Sequence, residues 1–201
     1  MEAVISKKTK TRKRVPKYLI YEMRKGSPIY YRDYDKVISG EKTTEEIMGS
    51  SELQSIFVSI ILKWLYKQIN DKKYFIALNE IGYKFAPRSW YNLDIAIIEK
   101  DKLKKISDKY LTIPPKVVIE IDTKADLRKF ENPQDYFHRK TQDLLDSGVE
   151  KVIWIFTQDK KVWVAEKGKR WIITDWNDTI DVIDNLKLNI ENLLKEEGIE
   201  F

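Results

Sequence analysis

Two short apolar runs, each interrupted by a single carboxylate, constrain this chain more than any other feature. Leu93 to Ile98 and Lys116 to Asp122 are rich in valine and isoleucine, as expected of strands set deep in a sheet. Side chains alternate between the two faces of a strand. Val117, Ile119 and Ile121 therefore face one way, and Val118, Glu120 and Asp122 the other. In the first run Leu93, Ile95 and Ile97 stand opposite Asp94, Ala96 and Ile98. An ionised carboxylate in such surroundings costs several kcal/mol unless it is paired or protonated. A hard divalent cation shared by Asp94 and Glu120 removes that cost, and Mg²⁺ prefers oxygen ligands. The alternative is that each acid sits at a wet strand end or pairs with a surface lysine.

The rest of the chain arranges itself around these strands. Tyr18 to Asp35 predicts two short strands with a turn at Gly26-Ser27-Pro28. Thr43 to Ile69 is helical. Thr43-x-x-Glu46 and Ser51-x-x-Gln54 both fit a capping box, and Leu53, Ile56, Phe57, Ile60, Ile61, Trp64 and Leu65 recur at helical spacing, which predicts one long helix over Glu52 to Asn70. Tyr74 to Leu78 and Ile81 to Phe85 read as two strands. A second helix is delimited by Asn132, which can cap it, Pro133 in its first turn, and Gly148 at its exit. Val152 to Phe156 is a buried strand, Val162 to Val164 and Trp171 to Thr174 a hairpin, and Ile190 to Leu194 a short closing helix. This order predicts an α/β fold with a mixed sheet flanked by helices.

The second helix places a charge in its apolar stripe. Tyr136 and Leu144 flank Lys140, with Phe137 and Thr141 beside it, while Asp135, Arg139, Gln142 and Asp146 fall on the wet side. Either the lysine stem covers apolar surface and its head escapes to water, or the ammonium reaches the carboxylates of the sheet, offsets their charge and polarises a water.

Composition removes several other chemistries. With no cysteine and one histidine, His138, disulfides, thiolate sites and the usual zinc sites are excluded. His138 has charged neighbours and reads as a surface residue. No glycine-rich phosphate loop is present, and Ser-His-Asp chemistry has no support. Four tryptophans, Trp154, Trp163, Trp171 and Trp176, are spaced as core and hairpin aromatics. The net charge of +5 is concentrated in residues 1–16, whose six basic side chains oppose only Glu2. That segment is expected to be a flexible basic arm, solvated or attracted to phosphates, and residues 17–201 a single domain. No apolar run is long enough to span a bilayer and no signal peptide stands at the start, so no membrane partner is expected and the cytoplasm is the expected compartment.

Leu93-Asp94, then Val117-Val118-Ile119-Glu120-Ile121-Asp122-Thr123, then Lys140 followed by Gly148-Val149-Glu150-Lys151-Val152-Ile153-Trp154-Ile155, resembles the PD-(D/E)xK nuclease superfamily. More narrowly the chain is similar to the bacterial endonuclease-like proteins called the Uma-two family. Tyr21-Glu22 and Gly26 near the start, and Ser50-Ser51-Glu52-Leu53-Gln54 opening the long helix, are similar too. The resemblance implies a restriction-endonuclease-like fold, a metal (Mg²⁺ or Mn²⁺) held by Asp94, Glu120 and the backbone carbonyl of Ile121, and hydrolysis of phosphodiester bonds in nucleic acid, DNA first. Dimers are common in the superfamily, so a homodimer is an expectation. The superfamily's lysine usually stands two residues after the glutamate, where this chain has Asp122. Members of the narrower family carry it on the following helix, where Lys140 stands, with Lys124 ranked second. The proline that usually precedes the aspartate is absent, since Leu93 stands there, and a histidine often seen near the start of the long helix is replaced by Leu53. Asp122 is a candidate to bind a second ion or to hydrogen-bond Lys140, and Glu52 is a further candidate ligand, although an acid in a first turn also serves the helix dipole. Three functions follow: a metal-dependent nuclease with catalytic Asp94, Glu120 and Lys140; a catalytically inactive nucleic-acid-binding or protein-interaction module, favoured by Asp122 in the usual lysine position; and a different metal-dependent phosphoryl hydrolase.

Overall fold

The computed structural model describes residues 14–200; the expected basic arm over residues 1–16 lies, except for its last three residues, outside them. The chain begins with a hairpin of β1 (Ile20–Arg24) and β2 (Ser27–Tyr30). Its connection, Lys25 and Gly26, has φ of 50° and 83°, the left-handed pair that matches the twist of a two-residue hairpin. Three helices follow: α1 (Tyr34–Ser39), α2 (Thr44–Met48) and α3 (Glu52–Gln68). The expected long helix thus ends two residues early. Two long antiparallel strands come next, β3 (Tyr74–Ala86) and β4 (Ser89–Glu99). The two strands expected over 74–85 are one: Asn79 and Glu80, with φ of 71° and 51°, form a bulge that shifts the register without ending the pairing.

After a long loop, β5 (Val117–Ile121) leads into α4 (Pro133–Asp146) and β6 (Lys151–Phe156), which lies parallel to β5. This is the one parallel step among the described strands; the other pairings are antiparallel. β7 (Lys161–Glu166) and β8 (Ile172–Asp175) complete an eight-stranded sheet of order β2-β1-β4-β5-β6-β7-β8, with β3 also on β4. A separate hairpin of β9 (Ile180–Ile183) and β10 (Leu186–Leu188) precedes α5 (Ile190–Glu196). That hairpin is additional to the sequence expectation; Asp184 and Asn185, at φ of 46° and 67°, make its turn.

The sheet separates two apolar layers. On one face α3 and α5 pack Phe57, Ile60, Ile61, Leu65, Leu193 and Leu194 onto Ile95, Ile97, Ile119, Ile121, Ile153 and Ile155. On the other, Tyr136, Leu144 and Leu145 of α4 pack onto Ala96, Ile98, Val118, Val152 and Trp154. The caps of α4 follow the sequence expectation. Asn132 accepts from Asp135 N at 2.9 Å, and Gly148 takes φ of +112°, where a side chain would meet Pro114. No helix among the described residues is long and apolar enough to cross a membrane.

Candidate metal centre

The candidate site lies where β4 changes partners. One edge of β4 is taken along its length by β3. The opposite edge is shared: β1 pairs with it at Trp90, and β5 at Ile95, Ala96 and Ile97. Between these two partners, around residues 92–94, the backbone groups on that edge of β4 have no strand partner, and buried polar groups need partners. Side chains supply them. Asn92 N donates to Glu22 Oε1 at 3.3 Å, and Asn92 O accepts from Lys140 Nζ at 2.8 Å. One residue further, Asp94 Oδ2 accepts from Ile121 N at 2.8 Å, replacing a strand-to-strand bond with a carboxylate.

The β4–β5 register pairs Ile95 with Ile119. Extended by one residue it sets Asp94 opposite Glu120, on the same face of the sheet, a spacing of about 5 Å between Cβ atoms for direct cross-strand neighbours. Lys140 reaches them from α4. Its ammonium is buried, 2.7 Å from Glu22 Oε1 and 3.1 Å from Glu120 Oε1, and lies 5.4 and 5.5 Å from the ring centres of Tyr91 and Trp154. The stem does not snorkel; the head points inward. Tyr136 Oη donates to the second oxygen of Glu22 at 2.8 Å, and Trp154 Nε1 to Thr141 at 2.8 Å, so the helix carrying Lys140 is fixed to strands on both sides.

Electrostatically the cluster is unbalanced. Three buried carboxylates, Glu22, Asp94 and Glu120, face the one ammonium of Lys140. Burial pushes Asp94 up to about 6, although the Ile121 N–H and the Lys140 charge oppose it. Burial also pushes Glu120 well above the usual carboxylate range; Lys140 opposes this, while Asp94 and Glu22 reinforce it. Glu22 is raised by burial against Lys140 and Tyr136. Burial works against the charge on Lys140, but Glu120 and Glu22 outweigh it and hold the lysine protonated. With all three carboxylates ionised the cluster carries two negative charges in excess, which protons or a divalent cation would offset.

The oxygens present fit a hard cation. Glu120 Oε1 is buried, and although it is in ion-pair range of Lys140 it accepts no hydrogen bond. Asp94 Oδ1 and the Ile121 carbonyl share one hydrogen-bond donor, Gln54 Nε2 of α3, at 3.2 and 3.4 Å. Among the described residues no three His, Cys, Asp or Glu side chains form a metal-holding group. The set here is two carboxylates plus a backbone carbonyl, which suits an ion that keeps several waters. A cavity of about 250 Å³ adjoins it, bordered by Gln54 and Ile121, by the basic side chains Arg32, Lys42 and Lys124, and by the acidic Asp33, Glu46 and Asp122.

Other sequence candidates lie apart from this cluster. Asp122 does not continue the face of Glu120. It leaves the strand with φ of 51°, and its carboxylate accepts from Thr157 N at 3.0 Å and Thr157 Oγ1 at 2.6 Å rather than from Lys140. Lys124 pairs with Glu80, on the bulge of β3, and reaches Met48 O and Ser50 Oγ at 3.2 and 3.3 Å. Glu52 is exposed on the first turn of α3. His138 is exposed beside Trp171, as expected of a surface residue.

Comparison with solved structures identifies the fold. Over 87% of this chain and 89% of the other, the structure matches that of "a putative nuclease belonging to DUF820" from Anabaena variabilis ATCC 29413, with a TM-score of 0.61 and 17% sequence identity. At that identity the likeness establishes the shared fold alone. The fold is restriction-endonuclease-like, a mixed sheet flanked by helices, as the sequence predicts. No family model and no curated protein matches the sequence.

Two contributors to the site were not among the residues singled out for it. Glu22 carried the same signal as Asp94 and Glu120, a carboxylate between apolar neighbours in a strand (Tyr21 and Met23), but its strand is short. Gln54 was read as half of a capping box. Ser51 Oγ does accept from Gln54 N at 3.1 Å, but the Gln54 amide turns to the site instead of back to the Ser51 backbone.

Proposed function

We propose that this protein is a metal-dependent endonuclease of the PD-(D/E)xK superfamily and the Uma-two family, hydrolysing phosphodiester bonds of DNA. The observation that carries the reading is that Asp94 and Glu120 each stand one residue beyond the last β4–β5 pair, Ile95 with Ile119, with the Lys140 ammonium 3.1 Å from a Glu120 oxygen that accepts no hydrogen bond. The shared fold supports it. Asp94, Glu120 and the Ile121 carbonyl would hold Mg²⁺ or Mn²⁺. The ion, when bound, supplies Lewis acidity toward a phosphoryl oxygen and lowers the pKa of a coordinated water. Lys140 orients the Glu120 carboxylate and offsets negative charge that develops beside it. Arg32, Lys42 and Lys124 line the adjoining cavity together with Asp33, Glu46 and Asp122, and Lys42 and Lys124 are paired with Asp33 and Glu80, so a substrate phosphate would compete with these acids for them.

A second reading, a catalytically inactive nucleic-acid-binding or interaction module, is favoured by one observation. Lys140 already donates to Glu22 Oε1 and Asn92 O and lies in ion-pair range of Glu120, which leaves at most one of its three protons for a water. Plasmid nicking separates the two. Cleavage in Mg²⁺ or Mn²⁺ that stops with EDTA, and stops in folded Asp94→Asn and Glu120→Gln proteins, is the expected result. Nicking that persists in both variants overturns the assignment; absence of cleavage of duplex, single-stranded DNA and RNA supports the module.

A further inference from the structure

The first turn of α3 ends in an amide that lies across the candidate centre. Gln54 Nε2 donates to Asp94 Oδ1 at 3.2 Å and to the Ile121 carbonyl at 3.4 Å, two of the three oxygens assigned above to a cation. This orientation is dictated by its surroundings: both facing atoms are acceptors, so the donor end of the amide must point inward. Both contacts are long for hydrogen bonds of this type. The side chain is also diverted from its local alternative. The Ser51-x-x-Gln54 sequence offers the glutamine a bond to the Ser51 backbone, which the comparable Thr43-x-x-Glu46 box does make, with Glu46 accepting from Thr43 N at 2.6 Å. Gln54 forgoes that bond and spans two strands of the sheet.

We propose that Gln54 is a switchable ligand of the metal centre, a role that rests on the metal-dependent reading above. In the metal-free protein the partial positive charge of its NH₂ group stands in for the ion and bridges Asp94 and the Ile121 carbonyl. On metal binding the amide rotates by about 180° about its terminal bond, a torsion with two broad wells, and Oε1 enters the coordination shell. Hard cations accept the carbonyl oxygen of glutamine as a ligand. A mere plug makes the opposite prediction, since removing a plug strengthens metal binding whereas removing a ligand weakens it.

The test is Mn²⁺ and Mg²⁺ titration calorimetry on the full chain, with melting temperature in EDTA as a folding control. Gln54→Leu keeps the bulk and deletes both poles; its affinity for Mn²⁺ is expected to fall about tenfold, within the range seen when groups that support a metal site are removed. Gln54→Glu supplies a charged oxygen and is expected to bind Mn²⁺ more tightly than wild type, while melting lower in EDTA because it faces Asp94. The Gln54 side-chain amide resonances in a ¹⁵N spectrum are expected to shift on Mg²⁺ addition. Equal or tighter binding by folded Gln54→Leu overturns the ligand role and leaves the metal centre standing. Absence of binding by wild type overturns the metal-dependent reading, and this proposal with it.

Discussion

The two faces of strands β4 and β5 are built on opposite principles. Toward α3 and α5 they present Ile95, Ile97, Ile119 and Ile121, buried hydrocarbon against hydrocarbon. Toward α4 the same strands present Asp94 and Glu120 among apolar neighbours, with Lys140 and Glu22 closing over them. The first face is non-directional and proportional to buried area. The second is directional: its groups are held by named partners and are penalised by burial unless their charges balance. The contrast shows how one sheet separates work between its sides. The apolar face keeps the strands in register, and that register holds like charges together on the other.

The comparison breaks most severely at Lys140. Lys140→Met leaves three buried carboxylates with no cation and is expected to cost about 3–5 kcal/mol at neutral pH, read by denaturant unfolding. Combining it with Glu22→Gln should restore part of that loss, because it removes one of the three uncompensated charges. A loss no larger than that of a surface lysine would break the distinction between the faces.

Ile119→Ala probes the other side. About 2–4 kcal/mol is expected for a fully buried residue, and the loss should be the same at pH 4.5 and pH 7.5, since no titrating group is touched. A strong pH dependence of that loss would show that the two faces are energetically coupled.

The charged face, by contrast, should respond to pH alone. Asp94 has its pKa raised from 3.8 to about 6 by burial. Between those values the unfolded chain releases the proton and the folded protein keeps it. The protonated form therefore favours the fold at low pH, and stability falls as pH rises from about 4 through about 6. The raised pKa of Glu120 acts in the same direction. The shift at Asp94 corresponds to about 3 kcal/mol at most. Unfolding of the metal-free protein from pH 4 to 7, compared with Asp94→Asn, should give a shallower slope in the variant; an equal slope would place the titration elsewhere.

The smallest effect sharpens the comparison. Glu120→Gln preserves shape and lowers the excess of carboxylates over the single ammonium, while Lys140 keeps Glu22 as its partner, so metal-free stability at neutral pH should stay within about 1 kcal/mol of wild type or rise. Metal-induced stabilisation should disappear. A large destabilisation would mean that the carboxylate serves the fold rather than a ligand.

What was legible in the sequence was whatever a local period reports. Asp94, Glu120 and Lys140 each stand out against a run of known periodicity, and the structure brings all three together. Glu22 belongs to the cluster only because β1 meets β4, a pairing between distant residues that no local pattern encodes. Asp122 was placed on the face of Glu120 by continuing a period of two past the point where the backbone turns left-handed. Gln54 was misassigned for a subtler reason: the capping rule was right about the backbone of the turn, while the side chain answered a stronger demand from unpaired oxygens across the sheet.

Diffraction from crystals grown with Mn²⁺, recorded where manganese scatters anomalously, tests most directly whether these strands were shaped around a cation. A single strong peak bounded by Asp94, Glu120 and the Ile121 carbonyl is the predicted result. No peak there, with the Gln54 amide still donating to Asp94 at saturating Mn²⁺, would contradict it.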